Sequence, residues 1–225
     1  MRILGLETAT RHASVGLLID GELAVEQSEP AQGSHAVSLL PLIDTVLRRA
    51  DCRLDALDAV AVSSGPGSFT GLRVGLSVAK GFARATGARL VAVPTLEALA
   101  RTVPGAPGAV CAVLDARKGE LYAALFESST AGCRRLTADQ LVTAEALVAL
   151  LPAPCVVVGD GGTVCASALR AHFGERVTVL PETHGPRGGV VAALGWERLR
   201  AGQLADVPSL EPTYVRPSEA ELKVP

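Results

Sequence analysis

The chain has 225 residues, of which 48% are apolar, 20% charged and 3% aromatic, and its formal net charge at pH 7 is −2. This composition is typical of a globular protein and excludes a globally disordered chain. The near-neutral charge excludes nucleic-acid binding through bulk positive charge. The few aromatic residues leave little material for a surface that stacks bases.

The spacing of the cysteines and the lengths of the apolar runs indicate where in the cell the protein is located. Five cysteines form no C-x-x-C pair, so the sequence predicts neither a disulfide framework nor a zinc site, and the thiols are typical of a reducing environment. The first apolar run ends at Glu7, too early for a signal-peptide core, and no stretch approaches 18 consecutive apolar residues. We expect a cytoplasmic protein without a membrane-spanning segment.

The first half of the chain begins with a predicted three-stranded antiparallel unit. Asp20-Gly21 lies between two apolar runs and predicts a two-residue hairpin turn, because both turn positions need a positive φ. Pro41 either bends the first predicted helix or lies in its first turn. The predicted elements are strands at 3–8, 14–19 and 22–27, a helix at about 34–50, a strand at 57–63, a helix at 68–85, a strand at 90–93 and a helix from Thr95.

The same order of elements restarts after a Pro/Gly-rich segment at 103–108. The predicted elements of this second half are strands at 109–116, 120–127 and 133–137, a helix at 143–151, a strand at 155–158, a helix at 163–173, a strand at 177–180 and a helix at about 188–201. A hairpin followed by alternating strands and helices predicts a mixed α/β sheet in each half. We therefore predict two subdomains, 1–105 and 106–225, with the last helix placed either in the second or across on the first.

A glycine-rich turn at 63–67 connects a predicted buried strand to a helix, and backbone N–H groups in such a turn can bind phosphate. The turn lacks the G-x-x-x-x-G-K-[ST] pattern of a P-loop and the G-x-S-x-G pattern of a nucleophile elbow. No H-E-x-x-H motif is present either. The sequence thus gives little support to a peptidase.

The helix after this turn carries a stripe of small residues, Gly67, Gly71, Gly75, Ala79 and Ala83, which recur every four positions and share one face. Glycine in a helix interior costs about 1 kcal/mol relative to alanine, so the stripe requires a reason. It lets another backbone approach closely. That backbone belongs to the sheet, to another helix of the chain or to a partner, and spacing does not choose among them.

Four segments together resemble the TsaB (YeaZ) family over nearly the whole chain. They are RILGLETAT (2–10), GPGSFTGLRVG (65–75), LDARKGELY (114–122) and EPTYVR (211–216). The resemblance implies an α/β, duplicated ribonuclease-H-like fold of the actin/sugar-kinase/Hsp70-like superfamily. It also implies a role in adding the threonylcarbamoyl group to the adenosine beside the anticodon of ANN-decoding tRNAs.

The resemblance implies that the chain is a non-catalytic partner of a larger paralogue, the TsaD transferase, and that a TsaE ATPase joins the complex. tRNA would then be reached through the complex, and no cofactor is expected. Small and aliphatic side chains on the two helices of the first half would contact the partner, and an isolated chain would form a homodimer through the same surface. The predicted interface residues are His35, Leu39, Ile43, Gly71, Val74, Gly75, Val78, Ala79 and Phe82.

The histidines argue against catalysis by this chain. The transferase paralogue binds a metal through two helical histidines, whereas no two of His12, His35, His172 and His184 lie three to five residues apart. We therefore predict no catalytic residue and no metal ligand.

An alternative function is that of an ATP-dependent phosphotransferase of the same superfamily. Its candidate nucleotide-binding residues are Glu7 and Thr8 after the first strand, Asp115 at the equivalent strand end of the second half, and Gly161 and Gly162 at a helix entry. In the competing interpretation these residues have structural roles: the two carboxylates accept hydrogen bonds from turn amides, and the glycines begin a helix.

Overall fold

The computed structural model describes residues 1–31, 34–129, 132–181 and 185–215. His184 and Arg216, both used in the sequence analysis, lie outside the described residues. The chain divides into two compact units, of which unit 1 contains residues 1–98 and 186–212. Unit 2 contains the rest of the described chain. The boundary between Ala98 and Leu99 precedes the Pro/Gly-rich segment at which the sequence predicts it.

Unit 1 is a five-stranded mixed sheet in the order β3-β2-β1-β4-β5, with β1, β2 and β3 antiparallel and β1, β4 and β5 parallel. Its elements are β1 (Arg2–Glu7), β2 (His12–Ile19), β3 (Glu22–Pro30), α1 (His35–Arg49), β4 (Ala59–Gly65), α2 (Phe69–Thr86), β5 (Arg89–Pro94), α3 (Thr95–Ala100, which crosses the unit boundary) and α6 (Gly188–Arg200). Asp20 and Gly21 form the predicted hairpin turn with φ angles of 52° and 90°. Helix α1 continues through Pro41.

The two faces of this sheet are covered by different helices. Alternate residues of β1 point to opposite faces, so Leu4 and Leu6 belong to the core under α1 and α2, whereas Ile3 belongs to the core under α6. Gly5 lies on the α6 side, where an added Cβ would be 2.1 Å from the carbonyl oxygen of Gly188. The last helix therefore packs with its backbone directly on the sheet of unit 1.

The start of α6 is tied to the same sheet by hydrogen bonds. The backbone N–H of Gly188 donates to the Ser14 hydroxyl at 2.9 Å, and that of Gly189 donates to the Glu26 carboxylate at 2.7 Å. These bonds satisfy two of the N–H groups that lack intrahelical partners at a helix start.

Unit 2 is a mixed sheet in the order β11-β10-β6-β7-β8, and β9 also pairs with β7. Its elements are β6 (Ala109–Arg117), β7 (Glu120–Ser129), β8 (Gly132–Arg135), β9 (Gln140–Thr143), α4 (Ala144–Leu150), β10 (Cys155–Val158), α5 (Gly161–Phe173) and β11 (Val177–Val179). The sequence prediction missed β9, which directly precedes α4. The predicted mixed sheet is present in each unit.

Candidate functional site

Helices α1 and α2 pack against each other and against the sheet of unit 1. Ser34 begins α1 by accepting a hydrogen bond from the Ala36 N–H, and Ser68 begins α2 by accepting one from the Gly71 N–H at 3.2 Å. Helix α2 ends at Gly87, whose φ of 77° stops the helix. Both helices thus begin at a capping serine, and α2 is also followed by a glycine that ends it.

Large apolar side chains on these two helices remain exposed. Val37 and Leu40 of α1 are 70% and 51% exposed, and Phe69 of α2 is 42% exposed. The Arg73 guanidinium lies over the Phe69 ring, 4.0 Å from its centroid, which is a cation–π contact. We call Val37, Leu40, Phe69 and Arg73 the docking face.

Most of the predicted interface residues point inward instead. His35, Leu39, Ile43, Gly71, Gly75 and Ala79 are buried within the chain. The four of them other than glycine are at most 7% exposed in the isolated chain, and the two glycines are buried as well, so all six offer a partner little surface. Val74, Val78 and Phe82 are partly buried and pack against the core, so they retain some surface at the edge of α2.

The glycine stripe meets the end of β1. A Cβ added to Gly71 would lie 2.0 Å from the carbonyl oxygen of Thr8, and one added to Gly75 would lie 2.3 Å from the Thr8 hydroxyl oxygen. The His35 ring lies on the other side of Gly71, 3.1 Å from the same added Cβ. Of the three surfaces that the spacing allowed, the stripe at Gly71 and Gly75 packs against its own chain.

Glu7, the last residue of β1, is fully buried. One carboxylate oxygen accepts the Ala9 N–H at 2.6 Å, and the other accepts the Ser63 hydroxyl of β4. Burial raises the pKa of Glu7 to about 7, although both hydrogen bonds act to lower it. Thr8 is also fully buried, and its hydroxyl has no hydrogen-bond partner among the described residues.

The nucleotide-binding candidates of unit 2 have structural roles of their own. The Asp115 carboxylate accepts the Arg117 N–H at 2.8 Å and pairs with the Arg117 guanidinium at 3.2 Å. Gly161 lies against β6, where an added Cβ would be 2.6 Å from a Val113 methyl group, and one added to Gly162 would be 3.1 Å from Val179. The Asp115 carboxylate accepts a hydrogen bond from a turn amide, and the two glycines let α5 pack closely on neighbouring strands. Both contacts are of the kind that the structural interpretation predicts.

The other reactive groups of the described part of the chain do not form a cluster. Within the described ranges, no group of three or more His, Cys, Asp or Glu side chains is placed to hold a metal ion. Burial raises the pKa of Cys155 and of Cys165 to about 11, so both remain neutral thiols at pH 7. Burial lowers the pKa of His35.

The family model of tRNA N6-adenosine threonylcarbamoyltransferase, TsaD, matches residues 27–223. The chain belongs to this family. It is 28% identical to the tRNA threonylcarbamoyladenosine biosynthesis protein TsaB of Bacillus subtilis, over 99% of this chain and 97% of the relative. The solved structure of YeaZ from Pseudomonas aeruginosa is 26% identical with a TM-score of 0.80, and the match covers 95% of this chain and 99% of that one. The TsaB (YeaZ) resemblance is confirmed.

A more distant solved structure bears on the fold alone. The activator of 2-hydroxyisocaproyl-CoA dehydratase from Clostridium difficile has a TM-score of 0.55 at 10% identity, over 92% of this chain and 99% of that one. The predicted fold class, a duplicated ribonuclease-H-like α/β fold with two mixed sheets, is confirmed. No helix within the described residues combines the length and apolar content needed to cross a membrane.

Sequence reasoning missed the exposed members of the docking face. A signal for them exists in α1, whose apolar positions 37, 39, 40, 42, 43, 46 and 47 are more numerous than one buried stripe requires. The surplus residues, Val37 and Leu40, are the exposed ones. Phe69, next to a helix N-cap, carries no comparable signal.

Proposed function

We propose that the chain acts in tRNA threonylcarbamoyladenosine biosynthesis as a non-catalytic subunit that binds a TsaD transferase. The exposed apolar docking face on α1 and α2 carries the proposal. The similarity to the TsaB biosynthesis protein of Bacillus subtilis supports the process, and the match to the TsaD family supports a paralogous partner with corresponding helices. Two helices from each protein would form a four-helix contact.

The energetics favour such a contact. Burying an exposed Val, Leu or Phe side chain stabilises a complex by about 1.5–3 kcal/mol. Val37, Leu40 and Phe69 can act as anchors of this kind, and Arg73 adds a residue type that is common in binding hot spots. Mutually packed helices present these anchors on rigid elements, so little side-chain and backbone ordering is needed on binding.

A non-catalytic role agrees with the contacts of the candidate nucleotide-binding residues. Glu7 and Asp115 bond backbone amides of their own turns, and Gly161 packs on a strand. We further propose that a TsaE-like ATPase joins the complex, that tRNA is bound through it, and that the chain alone forms a homodimer through the docking face. The free thiols of the described cysteines suit a cytoplasmic location.

Reconstitution tests the function. The chain, a TsaD transferase, a TsaE-like ATPase, tRNA and threonylcarbamoyl-adenylate are combined, each protein is omitted in turn, and light scattering follows the size of the complex. We expect the chain alone to be inert and its omission to abolish modification. Modification that proceeds unchanged without the chain would exclude an obligatory subunit.

Substitution of the docking face locates the interface. Val37→Asp should remove heterodimer formation and modification, because it places a carboxylate in an apolar contact. Val164→Asp is the matched control, since Val164 is an exposed valine, 43% accessible, on α5 of unit 2. It should leave both readouts at the wild-type level. Equal loss from both variants would show that the docking face is not the binding surface.

A further inference from the structure

The function proposed above does not use the buried carboxylate of Glu7. Its contacts nevertheless lead to the docking face. The Ala9 N–H that donates to Glu7 belongs to the turn after β1. The Ala9 carbonyl oxygen accepts the Ser68 N–H at 2.7 Å, and Ser68 is the N-cap of α2, bonded in turn to the Gly71 N–H. A continuous path of hydrogen bonds therefore joins the carboxylate to the first turn of α2.

The same turn of α2 has little freedom to move independently of this path. Gly71 rests on the Thr8 carbonyl oxygen with no room for a side chain. Phe69 and Arg73, two members of the docking face, lie on this turn and the residues that follow it. A change in the position of Ala9 is thus passed to Ser68 and to the exposed ring of Phe69.

We propose that Glu7 is a positioning residue whose ionised carboxylate holds the docking face in its binding arrangement through Ala9 and Ser68, so that protonation of Glu7 weakens partner binding. This inference rests on the function proposed above. It assigns a proton-linked control to the same surface.

The chemistry of the two hydrogen bonds gives the direction. An ionised carboxylate accepts both the Ser63 hydroxyl and the Ala9 N–H, and bonds to a charged acceptor are about twice as strong as neutral ones. A proton taken up by Glu7 must be donated to the Ser63 oxygen, because the Ala9 amide cannot accept it. The Ala9 N–H then donates to a neutral carbonyl oxygen of Glu7. Ala9 is fixed less firmly as a result, and so is Ser68, whose N–H donates to the Ala9 carbonyl oxygen.

The transition falls in the neutral range, because burial raises the pKa of Glu7 to about 7 while Ser63 and Ala9 oppose that rise. Other titratable or charged groups occur on the elements around Glu7. They are Arg2 on β1, Arg11 just before β2, His12 at the start of β2, His35, Asp44, Arg48 and Arg49 on α1, and Arg73, Lys80 and Arg84 on α2. Arg11, His12 and Arg73 are exposed, and burial lowers the pKa of His35, which keeps it neutral above pH 7.

The first measurement uses the free chain. Amide chemical shifts of Ala9 and Ser68 are followed by NMR from pH 5 to 9. We expect both to titrate together with a midpoint near 7 in the wild type and to stay flat in Glu7→Gln. His12→Gln should leave the titration unchanged. Flat amide shifts in the wild type would overturn the inference whether or not a partner binds.

The second measurement is the dissociation constant for a TsaD transferase at pH 6 and pH 8, for the wild type and Glu7→Gln. Glutamine reproduces the neutral form, so it should bind about tenfold more weakly than the wild type at pH 8 and nearly equally at pH 6. The ratio between the two proteins at each pH removes the partner's own titration. A ratio that does not change with pH would overturn the inference, whereas no binding by the wild type at either pH would instead overturn the proposed function.

Two further variants complete the test. Ser63→Ala removes a bond that lowers the pKa of Glu7, so the NMR midpoint should move to higher pH even where Glu7→Gln folds poorly. Glu26→Gln is the matched control, because Glu26 also accepts a backbone N–H at a helix start, but at α6. It should preserve the wild-type pH dependence of binding. An unmoved midpoint in Ser63→Ala would show that Glu7 is not the titrating group and would overturn the inference.

Discussion

Glu7→Gln should raise the free energy of unfolding at pH 8 and remove much of its dependence on pH between 5 and 8. The glutamine side chain has the same shape. Its oxygen can accept the Ala9 N–H, and its NH₂ group can donate to the Ser63 hydroxyl oxygen. The substitution therefore removes a buried charge and keeps both hydrogen bonds.

The magnitude follows from the pKa of Glu7. Burial raises it from 4.5 to about 7, and at 1.36 kcal/mol per pKa unit this corresponds to about 3 kcal/mol. Because the folded chain holds the proton more tightly than the unfolded chain, the stabilisation is fully present below pH 4.5 and is lost as the pH rises through 7. At pH 8 the ionised carboxylate thus costs the wild type about 3 kcal/mol.

Urea unfolding at pH 5, 6, 7 and 8 measures the effect. The difference between Glu7→Gln and the wild type should grow with pH and reach about 3 kcal/mol at pH 8. Glu26→Gln should not reproduce this growth, because Glu26 is only partly buried. A Glu7→Gln chain less stable than the wild type at pH 8 would refute the reasoning. A stabilised variant with weaker partner binding would show stability exchanged for function.

Two further substitutions separate close packing from intrinsic preference in unit 1. Gly75→Ala should lower the free energy of unfolding by about 1–3 kcal/mol, since the new Cβ would meet the Thr8 hydroxyl. Gly81 lies on the same helix, and no described atom is within 4 Å of its added Cβ. Gly81→Ala should therefore raise the free energy of unfolding by about 1 kcal/mol. Urea unfolding that gave the same change for both variants would refute the packing assignment. Thr8→Val should raise stability by about 1 kcal/mol because it removes a buried hydroxyl that has no partner among the described residues. A loss of stability in that variant would indicate a bond, such as one to an ordered water molecule, that the hydroxyl makes.

Much of the fold was accessible from local patterns. Asp20-Gly21 predicted the hairpin, because a two-residue turn between apolar runs has few alternatives. The alternation of strands and helices predicted a mixed sheet in each half. The short strand β9 was not predicted, since its four residues pair with β7 only through tertiary contact.

The candidate site, too, could be predicted only in part from the sequence. The sequence predicted both α1 and α2 and showed that α2 carries small residues every four positions, because periodicity and capping are local properties. It did not show which face of α2 is outermost. Only the tertiary structure decides that, because the choice depends on Thr8 reaching Gly71 and Gly75 from a strand more than sixty residues earlier.

Local patterns in the sequence were enough to predict most of the element order and a mixed sheet in each half, and four motifs were enough to indicate the family. Three features are visible only in the folded chain: the burial of Glu7, the hydrogen-bond path from its carboxylate to Ser68, and the exposure of Val37 and Phe69. The physical reason is that burial and hydrogen-bond partners are set by segments distant in sequence. A carboxylate at a strand end looks the same in the sequence whether solvent or a serine hydroxyl surrounds it.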